Sequence, residues 1–398
     1  MLHRSMSAIA SPPPVEHSQV KLLDSPEQLA PLRESWNRLW RQTPQTTFFG
    51  SWEWMDCFWR HFGRRKRLCV LVWWSGEEVR GILPLVISRE WTKAGPLRFL
   101  TYPLENWGTF YTPLGPDPQQ TLAVALDWLL KHLRGWEVLE LRWVPLCGEQ
   151  SRAAQAALQQ LGLEAVETVM EHSPLIRFPG SWDQYLASRS SKWRNNWRRA
   201  VKRLQQTGQV DWLRYRPRGE RFGEADPRWD LFEQALEVSR RSWQAHSTDG
   251  TTLCHPQVLP FFRDLYQAAV RLGAAELALL YLDGRPVAYH YNLIHQRCLF
   301  GLRTGYDQQL RHLGVGLVAT ARMIQDSIQR GDVSLDMGAP LSPYKKQLAT
   351  DAVPVGRYTW ACPRSLRARL YQWKRRRDRQ HHPPEKNPEL SSGNQDKR

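Results

Sequence analysis

The sequence predicts an α/β chain of two similar halves, each a mixed, mainly antiparallel sheet flanked by helices. Three observations support this prediction. Apolar residues make up 41% of the 398 residues, which is enough to fill globular cores and too many for a disordered chain. Helix-like and strand-like segments alternate along the chain. One series of these elements occurs twice in the same order, which indicates an internal repeat.

The first copy of the repeat starts with an amphipathic stretch, residues 52–62, that stops at Gly63. Two strand candidates, 68–74 and 79–88, follow on either side of a Ser-Gly turn. A small turn with glycine between two apolar runs is typical of a β-hairpin. A further strand, a helix and a last strand complete this copy, at 97–102, 119–134 and 137–143.

The second copy repeats these elements, with glycines at the same turns and helix ends. An amphipathic stretch, 261–272, ends at Gly273, and an Asp-Gly turn joins strands 276–282 and 287–294. Strand 297–304, helix 315–330 and strand 333–337 follow, and Gly331 stops the helix. Glycine is the preferred residue just after a helix because it adopts the left-handed conformation at little cost. Duplication therefore explains the series better than chance.

Four segments follow from this repeat. Residues 1–19 read as a flexible lead-in, 20–170 as the N-terminal half, 171–363 as the C-terminal half, and 364–398 as a basic, partly disordered tail. The connector between the halves has its own helix candidate, 149–161, and strand candidate, 165–169.

The positive charge of the chain is concentrated in two segments. There are 55 Lys and Arg against 39 Asp and Glu, a formal charge of +16. Residues 189–221 carry +9 and residues 364–398 carry +7, so the rest of the chain is neutral. A basic cluster favours polyanionic partners, and here that expectation concerns only these two segments.

Several classes of protein are excluded by pattern. No apolar run reaches the ~20 residues that a membrane-spanning helix needs, and the N-terminus has no continuous apolar signal region. We therefore expect a cytoplasmic protein without a transmembrane segment. The six cysteines are far apart and form no CxxC pair, which predicts neither a disulfide framework nor a metal site.

The most specific motif is Gln309-Leu-Arg-His-Leu-Gly-Val-Gly316, between a predicted strand and a predicted helix. The first N–H groups of a helix have no partner within it, and with the helix dipole they bind anions. Gly314 and Gly316 let a ligand approach the backbone, and Arg311 adds a positive charge. The motif suits a pyrophosphate, although the glycines of such a loop can also serve only a tight turn.

This motif resembles the R/Q-x-x-G-x-G/A turn of the GNAT superfamily of acyl-CoA-dependent N-acyltransferases. Residues 186–348 further resemble the BioF2-like/CelD type acetyltransferase domain, related to the FemAB peptidyltransferases, through their basic entry helix, the Asp-Gly hairpin, the Leu-Asp-Met-Gly segment ending at Gly338 and the Tyr344-Lys345 pair. The resemblance implies two tandem GNAT-like halves. It also implies a coenzyme A site made by the turn residues Arg311, His312, Leu313, Gly314, Val315 and Gly316.

The first half departs from this pattern, because Pro116, Asp117 and Pro118 stand where the second half has its glycine turn. Proline removes an N–H donor, and a carboxylate repels pyrophosphate. We therefore expect coenzyme A to bind only in the second half.

The resemblance also implies the chemistry, a direct attack of an amine on a thioester without an acyl-enzyme. A backbone N–H within 299–303, at a bulge, would polarise the carbonyl. Asp336 is the first candidate for general base or amine binding, with a structural aspartate as the alternative. His290 is either a base or a buried structural histidine. Tyr344 is the candidate acid.

Four residues are candidates for substrate binding. Lys345 could hold a phosphate or carboxylate, and Tyr306 precedes the glycine turn and could order it. Arg194 and Arg198 lie on the basic helix, whose apolar stripe, Trp193, Trp197, Val201 and Leu204, should face a core. Its charged face either binds an anionic substrate or tRNA, as in some Fem relatives, or is only solvated.

The sequence thus predicts an N-acyltransferase that moves an acyl group, in the first instance acetyl, from acyl-CoA to an amino sugar, amino acid or cell-envelope precursor. It predicts no metal. A Fem-like aminoacyltransferase that uses aminoacyl-tRNA is one alternative, and a non-catalytic polyanion-binding protein is another.

Overall fold

One mixed sheet of 12 strands runs through the computed structural model, which describes residues 18–103, 108, 110–246 and 252–381. The strands are β1 (Ser18–Leu23), β2 (Lys66–Ser75), β3 (Glu78–Thr92), β4 (Gly95–Thr101), β5 (Val138–Pro145), β6 (Val166–Arg177), β7 (Val210–Tyr215), β8 (Ala275–Leu282), β9 (Arg285–His295), β10 (Cys298–Tyr306), β11 (Ser334–Asp336) and β12 (Asp351–Ala361). The helices are α1 (Pro26–Leu29), α2 (Arg33–Gln42), α3 (Trp52–Phe62), α4 (Pro118–His132), α5 (Gly148–Gln160), α6 (Trp182–Ala187), α7 (Ser191–Thr207), α8 (Trp229–Arg241), α9 (Leu259–Leu272), α10 (Val315–Arg330), α11 (Pro343–Leu348) and α12 (Leu366–His381).

The strand order shows the repeat directly. From one edge to the other it is β1-β2-β3-β4-β5-β12-β6-β11-β10-β9-β8-β7. Read inwards from one edge, the first five strands are β1 to β5 of the first half. Read inwards from the other edge, they are β7 to β11 of the second half, in the same chain order. Only β4–β5 and β10–β11 are parallel pairs, and the other pairs are antiparallel. The predicted fold class, two similar halves with mixed, mainly antiparallel sheets, is confirmed.

The two halves exchange their last strands at the centre of the sheet. β5 of the first half pairs with β12 from the end of the second half, and β11 of the second half pairs with β6 from the end of the first. β6 and β12 pair with each other. The boundary that the sequence suggested after residue 170 thus falls inside β6, a strand that pairs with elements of the C-terminal half.

The repeated elements lie close to their predicted bounds. The helices expected at 52–62 and 315–330 are α3 and α10, and both predicted hairpins are present as β2–β3 and β8–β9. The strand expected at 165–169 continues to Arg177. The sequence pattern assigned no strand to β12, which contains Pro354 and Gly356. Both residues weaken a strand signal, and Gly356 lies at a bulge against β6.

The apolar stripe of α7 faces a core, as predicted. Trp193 and Leu204 are buried, and Trp197 and Val201 are half-buried against the same packed clusters. Helix α7 packs against α10. This contact places the basic helix beside the glycine turn.

The start of the basic tail forms a helix that packs on the sheet, and it is therefore not a separate segment. Helix α12 packs on β12, β6 and β4, and Ala368 and Tyr371 are buried there. The predicted disorder of the rest of the tail concerns residues 382–398, which lie outside the described residues, as do residues 1–17 of the predicted flexible lead-in; Ser18 and Gln19 belong to β1. None of the described helices is long and apolar enough to cross a membrane.

Candidate active site

The glycine turn has the geometry that its sequence predicted. Strand β10 leads through a 3-10 turn, Gln308–Leu313, into α10, and Gly314 between them has a φ of +77°. The first N–H groups of α10 have no acceptor within the helix. Arg311 and His312 are exposed on the turn. The arrangement presents backbone donors, a helix dipole and a cation at one place, which suits a phosphate group.

A buried carboxylate fixes the start of this turn. Asp307 accepts a hydrogen bond from the backbone N–H of Gln309 at 3.0 Å. It also pairs with Arg241 at 2.9 Å and Arg285 at 3.0 Å. Tyr306 packs against the first turn of α10, where a Cβ on Gly316 would lie 2.8 Å from the tyrosine ring. Both residues therefore order the turn.

The glycine turn also needs its glycine for a packing reason. A Cβ on Gly314 would lie 2.8 Å from the Cβ of Ala200 on α7, closer than two methyl groups can pack. Gly314 thus permits both the positive φ and the approach of the basic helix. The sequence motif alone did not show whether Gly314 serves this backbone conformation and helix packing or the approach of a ligand.

A cavity of about 380 Å³ opens where β10 and β11 separate. The two strands pair only over Cys298–Phe300 and Ser334–Asp336. On its other side β10 shifts register against β9 between Gly301 and Arg303, which leaves Leu302 in a bulge. The bulge lies within the predicted range 299–303 and lines the cavity.

Three side chains form a hydrogen-bonded chain along one wall of the cavity. The hydroxyl of Thr320 donates to the carbonyl of Gly316 at 2.9 Å, and the hydroxyl of Tyr344 lies 2.8 Å from the same threonine oxygen. Nε2 of His290 lies 3.4 Å from it. Since Thr320 is one helical turn after Gly316, this wall of the cavity is connected directly to the glycine turn.

Asp336 is held on the opposite strand. The hydroxyl of Ser173, on β6, donates to Oδ1 of Asp336 at 2.5 Å, and the backbone N–H of Gly338 donates to the same oxygen at 2.9 Å. Lys345 donates from Nζ to the carbonyl of Gly338 at 2.5 Å. The buried carboxylate and the ammonium group therefore border the cavity together.

The surroundings set the proton state of these groups. Burial lowers the pKa of His290 to about 4, and the charge of Arg214 acts in the same direction. Desolvation by the surrounding residues raises the pKa of Tyr344, which is still 46% exposed, although its hydrogen bond with Thr320 opposes this shift. At neutral pH the histidine is therefore uncharged and the tyrosine keeps its proton. Burial lowers the pKa of Lys345, while the charge of Asp336 opposes this shift.

The structure brings four of the predicted site residues into one cavity: His290, Asp336, Tyr344 and Lys345. Arg198 is exposed on α7. The guanidinium of Arg194 already has partners within the protein. Its Nη1 donates to the carbonyls of Arg189 at 2.6 Å and Leu186 at 3.4 Å, so the guanidinium caps the end of α6. The i, i+4 spacing on α7 did not reveal this local contact.

Sequence reasoning missed several residues that line or support the cavity. Ser173 and Thr320 hold the two candidate groups described above. Phe49 and Trp143 come from the first half, and Arg303 lies at the bulge. None of them stands in a motif, because each reaches the cavity only through tertiary pairing. Among the described residues no group of three His, Cys, Asp or Glu side chains could hold a metal ion.

The first half has a different geometry at the equivalent helix. Asp117 caps α4 by accepting a hydrogen bond from the N–H of Gln120 at 2.9 Å, and Pro118 is the first helical residue. A carboxylate thus already occupies the helix N-terminus. This arrangement is unfavourable for a second pyrophosphate.

Comparisons with known proteins agree with this geometry. Residues 191–346 match the model of the acetyltransferase (GNAT) domain. No curated protein sequence gives a significant match. Among solved structures, the crystal structure of FemX is similar with a TM-score of 0.58 and 13% identity, over 86% of this chain and 98% of that one. At this identity the similarity shows a common fold.

Two further solved structures are similar over most of the chain. L-PGS from Bacillus licheniformis has 14% identity and a TM-score of 0.47, over 81% of this chain and 96% of that one. A tandem GNAT protein from the clavulanic acid biosynthesis pathway has 14% identity and a TM-score of 0.44, over 88% and 100%. The matched segment runs from α7 into α11 and includes the glycine turn and most of the cavity lining, to which Phe49 and Trp143 of the first half also contribute. Residues 191–346 thus carry a GNAT-type acetyltransferase domain.

Proposed function

We propose that the protein transfers an acyl group, acetyl in the first instance, from acyl-CoA to the amine of an amino sugar, an amino acid or a cell-envelope precursor. The observation that carries this proposal is the link between turn and cavity. Gly316 belongs to the turn, and its carbonyl accepts the hydrogen bond of Thr320 in the cavity wall. A donor whose pyrophosphate sits on the turn can therefore extend its acyl end into the cavity.

The residues present fit such a donor. The turn offers the unpaired first N–H groups of α10 and the exposed Arg311 for phosphate oxygens. The bulge at Leu302 offers a backbone N–H in the cavity for the thioester oxygen, where charge develops during attack. Because Gly314 is covered by Ala200 on one side, the donor must approach the turn from its other side.

In this mechanism the chain's own groups move two protons. Asp336 takes a proton from the ammonium form of the acceptor, and the free amine attacks the thioester carbon. The C–N bond forms, the nitrogen of the tetrahedral intermediate releases its second proton to solvent, the C–S bond breaks, and the leaving thiolate takes the proton of Tyr344. Neutral His290 keeps Thr320, and through it Tyr344, in place rather than acting as the base, since its pKa is about 4. The products are an amide and the free thiol, and solvent returns Asp336 and Tyr344 to their starting states.

Calorimetric titration of the full chain with acetyl-CoA tests the donor. Arg311→Gln should weaken binding about tenfold, because a hydrogen bond to a charged group is lost. Arg330→Gln, at the other end of α10 and exposed, is the matched control and should bind normally. No binding by the folded wild-type chain would contradict an acyl-CoA donor.

A second donor is supported by one observation, the exposed cations Arg198, Arg199 and Lys202 on the helix that covers the glycine turn. These could bind an aminoacyl-tRNA. Transfer from charged tRNA that persists in Arg311→Gln and falls in the triple Gln variant of these three residues would favour this alternative. The cavity that contains the four candidate residues and the match to an acetyltransferase domain both disfavour the alternative of a non-catalytic polyanion-binding protein.

A further inference from the structure

Helix α12 presents an apolar stripe away from the protein. Leu366, Leu370 and Trp373 are 77%, 45% and 54% exposed. Their spacing of four and three residues puts them on one face of the helix. Ala368 and Tyr371, on the opposite face, are buried against the sheet. The helix is therefore fixed by one side, while a second apolar side meets no described residue that buries it.

A tryptophan from the first half joins this stripe. Trp91 is 82% exposed near the end of β3. It lines the same cavity as Trp373, which has a volume of about 1150 Å³ and lies between α12 and the sheet. Trp91 and Trp373 thus border one cavity, and Leu366 and Leu370 extend the exposed apolar face of α12 that bears Trp373. Exposed apolar groups of this size are unusual for a surface that meets only water.

The surroundings of the stripe are strongly basic. On a helical projection Arg367 and Lys374 lie on one flank of the stripe and Arg369 and Arg376 on the other. The cavity below contains further cations, and six of its basic residues have no ion pair with a carboxylate within the described chain: Arg65, Arg89, Lys93, Lys374, Arg375 and Arg377. These charges repel one another, and an anionic surface would remove that repulsion.

We propose that α12 and Trp91 form a docking surface for an anionic membrane, on which the helix lies parallel to the lipid surface. An apolar stripe with tryptophan, flanked by Lys and Arg, is the pattern of interfacial helices. Long basic side chains reach headgroup phosphates while their stems cover apolar surface. A nucleic acid would use the tryptophans and cations but would leave Leu366 and Leu370 in water, so lipid explains more of the surface. This proposal does not depend on the proposed acyl transfer.

Co-sedimentation of the full chain with vesicles tests the surface. We expect binding to phosphatidylcholine vesicles that contain phosphatidylglycerol and little binding to phosphatidylcholine alone. The double variant Trp91→Ser and Trp373→Ser should weaken binding at least about tenfold, because both insertion groups are lost. Removing three cations, in Arg369→Gln, Lys374→Gln and Arg377→Gln, should weaken it about fivefold for each charge.

Matched control variants distinguish binding through this surface from non-specific binding to vesicles. Phe222→Ser removes an aromatic side chain that is 62% exposed outside this cavity. Arg198→Gln, Arg199→Gln and Lys202→Gln remove the same charge from α7. Both controls should keep vesicle binding. Circular dichroism should show that all variants fold, since the substituted side chains are exposed or half-exposed. Equal losses in the controls, or binding to tRNA without binding to anionic vesicles, would overturn the proposal.

Discussion

The hydroxyl of Ser173 donates a 2.5 Å hydrogen bond to the carboxylate of Asp336, and this contact joins the last strand of the first half to the candidate active site of the second. Ser173 is fully buried on β6, and Asp336 ends β11. The exchange of last strands is what brings them together. The first half thus positions a carboxylate that borders the candidate active site, although it has no glycine turn of its own.

We expect Ser173→Ala to reduce kcat by about tenfold with little change in KM, because the carboxylate loses a donor that orients it. Asp336→Asn should cost more, on the order of a hundredfold or above, if this carboxylate takes the proton. Steady-state kinetics with acetyl-CoA and an accepted amine measure both. Asp351→Asn, which removes a surface ion pair with Arg177, is the control. Unchanged kcat in Ser173→Ala would show that Asp336 needs no support from β6.

Tyr344→Phe removes the proposed proton donor while keeping the aromatic ring. The hydrogen bond to Thr320 is lost, and we expect kcat to fall about a hundredfold. Because the pKa of Tyr344 is raised, the wild-type rate should show no loss of the acid form up to at least its ordinary pKa of 10. A rate profile against pH measures this. Tyr281→Phe, a half-buried tyrosine bonded to Gln234, should behave as wild type.

Gly314→Ala should destabilise the fold for two reasons, the positive φ of this residue and a clash of the new methyl group with Ala200. Gly284 has a similar φ of +72° but open space at its Cβ, whereas a Cβ on Gly314 would lie 2.8 Å from Ala200. We expect Gly284→Ala to lower the free energy of unfolding by about 1 kcal/mol and Gly314→Ala by about 1–3 kcal/mol more. Urea unfolding gives both values. Equal effects would mean that α7 can move away from the turn.

Acid should destabilise the protein through two buried histidines. Burial lowers the pKa of His290 to about 4 and that of His295 to about 3, from 6.5. The unfolded chain therefore binds more protons than the folded chain below about pH 6.5, and stability falls as the pH decreases from there towards 4. Each histidine contributes about 2 kcal/mol of this loss at pH 5.

Urea unfolding at pH 7 and pH 5 measures the effect. His290→Gln should remove about half of the decrease, because glutamine does not titrate. His132→Gln, in the last turn of α4, is a control at an exposed histidine. A decrease of the same size in His290→Gln and in the wild type would show that other groups dominate the acid response.

Local patterns in the sequence were sufficient for the repeat and the turn. Helices α3 and α10 and both hairpins were predicted because amphipathic periods and glycine stops depend on residues close in the chain. The sequence also selected His290, Asp336, Tyr344 and Lys345, which the structure places in one cavity. The substrate role of Arg194 stays a prediction, and charge spacing on α7 did not show that its Nη1 donates to carbonyl groups at the end of α6.

The sequence by itself determined the two halves, the basic segments and the glycine turn of this protein. Only the tertiary structure decided that β6 and β12 are exchanged, that Ser173 meets Asp336, and that α12 packs on the sheet with a second apolar face outward. The physical reason is that strand pairing and helix docking are chosen by surfaces far apart in the chain. Alternation and periodicity show that a face is apolar, but they do not show which partner, if any, covers it.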